Sequence, residues 1–228
     1  AAGAAGSNAL TGVVPVIVNN STILAEVENG TETSHSRITA GDSIGIIAAA
    51  DSDIYIIAGG LAAAGANAVG ASLNTAILKN DIQAHAGTWT ELMTTATPAV
   101  QTSSNGIRIP NRNERRRGII IFANGNEDVI MVSVSAGAGG SNAITGVINT
   151  LVVRNTVKAT SREHVTISVK KAAGSSTNDT DPLPGVYIEA HDDTELLNLA
   201  GALSAAGSVG VGATVVALVF NKNVTAET

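Results

Sequence analysis

The chain repeats itself three times in one register, and that repetition limits what it can fold into. Ile46 to Ala84, IIAAADSDIYIIAGGLAAAGANAVGASLNTAILKNDIQA, is matched without a gap by Ile121 to Ala159 and again by Ile188 to Ala226. Ala48, Ala123 and Ala190 superpose, as do Gly65, Gly140 and Gly207, and an acid stands before each apolar run at Asp53, Asp128 and Glu195. GSNALTGV at Gly6 to Val13 nearly repeats GSNAITGV at Gly140 to Val147, so a half unit precedes three full ones. A repeated unit cannot bury its apolar face alone and does so by stacking on its neighbours. The division is a half unit at 1–25, a first unit at 26–84, a second with a long connector at 85–159, and a third at 160–228. The chain starts half-way through a unit and stops two residues after the last, as a piece of a longer array or a mature subunit would.

Within the blocks the period is two. Val209, Val211, Ala213, Val215, Ala217 and Val219 alternate with Gly, Thr and other residues, and β-branched alternation is the strand signal. The first block reads as a strand (44–48), an acidic turn (51–53), a strand (54–58) and a longer strand beyond the Gly-Ala run. Pro15 removes one backbone donor, which puts its strand at an edge or a bulge, where another chain can pair. HVTISVKK at 164–171 adds a strand, and SSTNDTDPLPG at 175–185 reads as loop. Leu196 to Phe220 is long enough to span a bilayer by the ~20-residue criterion. Its glycines at 201, 207, 210 and 212, and the polar SNAITGVINT of the second block, favour strand over helix.

Apolar residues make up 44% of the chain but aromatics only 2%. Aromatic side chains normally dominate a thick core, so this core is thin and packed from Ala, Gly and Val, with flat sheets close together. The expected fold is therefore all-β, a stacked β-repeat of solenoid or β-helix type, with a β-sandwich subunit carrying open edge strands as the alternative.

A net charge of −6 argues against a nucleic-acid surface, which needs a basic stripe and stacking aromatics. The absence of cysteine excludes disulfides, thiol catalysis and Cys-based zinc sites. Asp51, Asp53, Asp192 and Asp193 resemble paired carboxylates, but acids recur at one place in each unit and read as solvated turns. His35, His85, His164 and His191 stand singly, without zinc-motif spacing, and read as surface or loop residues. No Gly-x-Ser-x-Gly elbow is present, and GAGGSNA fails the dinucleotide fingerprint for lack of a following helix. NRNERRRG at Asn111 to Gly118 could meet an anionic surface or a polysaccharide, stand solvated, or pair with acids of a neighbouring subunit. The reading assigns no catalytic, cofactor or metal residue, and no cofactor.

DSDIYIIAGG at Asp51 to Gly60, VGAS at Val69 to Ser72, and N-x-V-x-A at Asn155 to Ala159 with its partial echo at Asn223 to Ala226 resemble the β-strand repeats of large bacterial surface adhesins. The likeness is to the filamentous-haemagglutinin and fusobacterial leukotoxin type, and covers the blocks but not the connectors. It implies a secreted, elongated β structure for surface display and adhesion, and transfers no catalytic residue; gapless repetition with no catalytic constellation makes the expected role that of a non-enzymatic structural or adhesive segment. Two other readings stand beside it. One is an extracellular filament subunit that self-associates through edge strands, the half unit donating to the next copy. The other, ranked lower, is a carbohydrate-active β-helix enzyme, which would have only Trp89, Tyr55, Tyr187, Phe122 and Phe220 for stacking on sugar.

Overall fold

Alternation of buried and exposed positions persists along strands of about twenty residues, far beyond the usual strand of ~5–6. The structure, a computed structural model, describes residues 1–95, 106–170 and 184–228. Its strands are β1 (Ala2–Ala5), β2 (Asn8–Val13), β3 (Val16–Val27), β4 (Ser36–Ala40), β5 (Ile44–Ala64), β6 (Asn67–Ala86), β7 (Thr90–Thr94), β8 (Ile107–Arg108), β9 (Arg115–Gly139), β10 (Asn142–Ser161), β11 (Thr166–Val169), β12 (Pro184–Ala206) and β13 (Val209–Glu227).

The strands wind as coils. A long strand makes a two-residue turn into a second long strand, which leads in the earlier coils to a short third one. Stacked coils give a first long sheet in the order β1-β5-β9-β12, a second in the order β13-β10-β6-β2 with β3 also on β6, and a short sheet β11-β7-β4. Every pairing in these three sheets is parallel; only β8 runs antiparallel, on β9. The pairing follows the sequence repeat residue for residue. Ile121 pairs with Ile46 and Ile188, Ala159 with Ala84 and Ala226, and Asn67 with Asn8 and Asn142. The fold is all-β and solenoid-like, and these parallel ladders replace the sandwich alternative.

Three local expectations change. Asp51 to Asp53 is not a turn: β5 runs unbroken through it, and Asp51 and Asp53 lie on its outward face. The polar stretch before the first block contains β4, and the second connector contains β7 and β8. The added strand at 164–171 is present as β11, while the loop expected at 175–185 lies outside the described residues except for Pro184 and Gly185, which open β12. In chain order both long connectors join a strand of the short sheet, β7 or β11, to a strand of the first long sheet, β9 or β12. The turns between the long sheets stack as well. Gly140 N donates to Ala64 O at 3.2 Å and Ser141 N to Ala66 O at 2.9 Å. A Cβ at Gly65, Gly140 or Gly207 would collide with the carbonyl oxygen of the glycine one coil below, which is why this position repeats as glycine.

Side chains facing inward fill two apolar clusters. One holds Ile46, Ile82, Leu92, Ile121 and Val157; the other holds Ile54, Ile56, Leu78, Val129, Met131, Leu151 and Val153. Toward the Gly-Ala turns the interior changes to Ala, Gly, Ser and Thr, while Ile57, Leu61, Val134, Leu199 and Leu203 face out from the first long sheet and Leu10, Ile144, Ile148, Val211 and Val215 from the second. This end of the molecule is apolar outside, and inside it mixes a small alanine cluster of Ala9, Ala62 and Ala68 with buried hydroxyls such as Ser135 and Thr145. Leu78 is fully buried and Ile57 is 80% exposed. Leu78→Ala should therefore cost about 2–5 kcal/mol in urea unfolding, whereas Ile57→Ala should stay within about 0.5 kcal/mol. Equal effects would mean that the two faces are wrongly assigned.

Candidate functional site: a polar belt inside the coils and an arginine loop outside

Stacking in register brings together residues that are far apart in sequence. On the second long sheet Ser21, Asn80, Asn155 and Lys222 occupy one inward ladder; opposite them on the first are Ser52, Glu127 and Thr194, with Asp192 beside them. Burying these groups without partners would cost several kcal/mol, and most are paired. Ser21 Oγ donates to Asn80 Oδ1 at 2.7 Å, and Asn80 Nδ2 to Glu127 Oε1 at 2.9 Å. Thr194 Oγ1 donates to Glu127 Oε2 at 2.7 Å, and Lys222 Nζ to Thr194 Oγ1 at 2.6 Å. Asn155 Nδ2 donates to Asp192 Oδ1 at 2.9 Å, and Lys222 Nζ lies 3.2 Å from Asp192 Oδ2. Each asparagine thus binds an acid of the coil that follows its own. A second belt, nearer the Gly-Ala end, joins Asn74, Ser133 and Asn149, and Asn149 Nδ2 donates to Asn198 Oδ1 at 2.6 Å.

Glu127 is fully buried. Burial, joined by the charge of Asp192, pushes its carboxyl above the usual range, against the opposing pull of Thr194, Asn80 and Lys222. Asp42 is the opposite case. Burial would raise it, but hydrogen bonds from the Arg117 guanidinium and Ser43 hold its carboxyl below the usual range.

Outside, the arginines of NRNERRRG pair within the chain. Arg112 and Arg116 meet Glu114 at 3.4 and 3.2 Å, Arg116 also meets Glu189 at 3.5 Å and lies 4.7 Å above the Tyr187 ring, and Arg117 binds Asp42, two residues before β5. Acids of the same chain thus take the part considered for a neighbouring subunit. The turn at Asn111, whose φ is 57°, aims Arg112 Nη2 at His191 Nδ1, 2.8 Å away. His85 is not a surface residue: it is buried, 2.7 Å from Glu26 and 2.9 Å from Arg162. His35, Trp89 and His164 sit at one corner of successive coils. Trp89 stacks on His164 at 4.0 Å and lies 5.7 Å from His35.

The recurring acids stand on the outward face of the first long sheet, Asp53 beside Asp128 beside Glu195, spread one per coil. No group of three or more His, Cys, Asp or Glu among the described residues is placed to hold a metal ion. Sequence reasoning missed the belt because its members sit alone, Glu127 between Asn126 and Asp128 and Lys222 between two asparagines. The signal that could have found them is the repeat itself, which puts Asn80, Asn155 and Lys222 in one column; the echo at Asn223 is one residue out of that column.

Together these features define a parallel β-solenoid with charged and amide groups belted inside its coils. No protein-family model, curated protein or solved structure matches the chain.

Because the folded state raises the Glu127 pKa, Glu127 contributes stability below its unfolded pKa and loses it as pH rises through the folded value. Glu127→Gln should therefore raise Tm at pH 7 relative to the parent, and the gap should close on acidification below about pH 4, under the ordinary glutamate pKa. A Tm at pH 7 lower than the parent's would show that the Lys222 pair outweighs burial.

Proposed function

We propose that this chain is a non-enzymatic structural segment of a secreted or cell-surface fibrous protein, in which stacked coils extend a β rod and the flat outer faces adhere. The observation that carries the reading is the bare end of the stack. β12 and β13 are the last strands of their sheets, so a row of backbone groups on each faces away from the coils. The inward-facing Val216, Leu218, Phe220 and Val224 remain about half exposed there. Unprotected edges of this kind pair with further strands. The other end is incomplete too, because β1 covers only Leu61 to Ala64 of β5. Support for the adhesive part comes from the outward apolar ladders and from the resemblance to surface-adhesin repeats.

The same edges favour a second reading, a subunit that assembles into filaments by coil-on-coil stacking. Here the half unit acts as a laid-down rung: β1 to β4 pair with β5, β6 and β7 of their own chain. The partner would add beyond that rung.

Light scattering with electron microscopy across a concentration series tests both. Uniform long filaments would favour the subunit reading, and short end-to-end stacks the segment reading. Inward-pointing charge on an edge blocks pairing, so Leu218→Lys with Phe220→Lys should weaken association at least tenfold. A parent chain that stays monomeric at about 100 μM, where micromolar association would be nearly complete, would contradict the open-end argument.

A further inference from the structure

Where the turn at Asn111 folds back over the first long sheet, it encloses a cleft of about 250 Å³ lined by Asn111, Arg112, Asn124, Asn126, Asp192 and Asp193, together with His191. From the cleft we infer that the protein binds one neutral sugar ring there. Asn124 faces outward on β9, yet it is only 6% exposed, and its Nδ2 finds no acceptor among the described residues. A buried amide donor left unpaired costs about 1–3 kcal/mol, so an acceptor supplied from the cleft would remove a standing penalty.

The walls are held in place. Arg112 Nη2 donates to His191 Nδ1, which leaves the imidazole proton on Nε2, 3.4 Å from Glu189 Oε2. Asn126 Nδ2 donates to Asp51 Oδ1 at 2.9 Å, so the Asn126 carbonyl is directed elsewhere as an acceptor. Asp192 is fixed from the interior by Asn155 and Lys222.

Charge and size select the class. An anion would meet the Asp193 carboxylate, and a metal ion would meet Arg112; a neutral ligand avoids both. The lining offers donors (Arg112, Asn124) and acceptors (Asp193, the Asn126 carbonyl) together, the mixture that hydroxyl groups satisfy because each can give and accept. The volume falls below the ~300–1,000 Å³ typical of sites for drug-sized ligands, which leaves room for a single ring. This inference does not depend on coil-end association: the cleft lies on the outer face of the first long sheet.

The test is an NMR titration of the full, isotope-labelled chain. Glucose, galactose, mannose and N-acetylglucosamine are added singly to about 50 mM, because so small a ligand binds at millimolar strength; sodium sulfate and calcium chloride serve as separate probes. At least one sugar should shift the Asn124 and Asn126 side-chain amide signals saturably. Asn124→Ala, with the rest of its spectrum unchanged, should weaken that sugar at least fivefold, and Thr75→Ala, on the far sheet, should not. If Asn124→Ala fails to fold, Asn111→Ala takes its place with the same expectation. No shift with any of the four sugars, or shifts with sulfate or calcium only, would overturn the assignment.

Discussion

Everything in this molecule depends on the parallel, in-register backbone ladder. Strands spaced ~4.8 Å apart with a side-chain period of two place equivalent residues directly above one another. Whatever a sequence position carries is therefore repeated through the stack, and a one-residue slip would move the whole inward set to solvent. The stacked glycine turns fix the register from one end, since Gly65, Gly140 and Gly207 leave no room for a Cβ. At the other end, connectors of unequal length are accommodated without disturbing the ladders, because each joins the short sheet to the first long sheet.

The ladder also explains how a chain almost without aromatics holds a specific core. Aliphatic clusters around Ile121 and Leu78 supply burial, and the belts of Asn, Ser, Thr, Glu127 and Lys222 supply register, because a slipped coil would strand their hydrogen bonds. Toward the Gly-Ala end amides and hydroxyls share the interior with small alanines, while Ile57, Leu203 and Val215 stand outside. Such exposed apolar ladders are what surfaces for association or adhesion are made of, and they sit on the same stack whose last coil is bare.

Much of the fold was legible in the sequence. Gapless repetition with period two defined the coils and predicted their pairing down to the residue, because register in a solenoid is a property of the repeat. The acids at Asp51 and Asp53 misled, since polar residues in an apolar run look like a turn, whereas on a strand with one face in water they are simply the outward positions. The short sheet was half visible: β11 carries a β-branched run, while β4 and β7 are five residues each in polar surroundings. The candidate sites were not legible. Glu127, Asp192 and Lys222 come together only through stacking, and the cleft at Asn124 exists because a connector with no repeat equivalent folds back over a ladder.

The measurement that bears most directly on this account is disulfide trapping of the register. The chain has no cysteine, so introduced pairs report without interference. Thr75, Thr150 and Ala217 stand side by side on the outward face of the second long sheet, within the ~4.4–6.8 Å Cα separation that a disulfide spans. Thr75→Cys with Thr150→Cys, and Thr150→Cys with Ala217→Cys, should close within single chains under mild oxidation, while Thr75→Cys with Leu151→Cys, whose side chains point to opposite faces, should stay reduced. Closure of the offset pair, or of none, would contradict coils stacked in the register of the repeat.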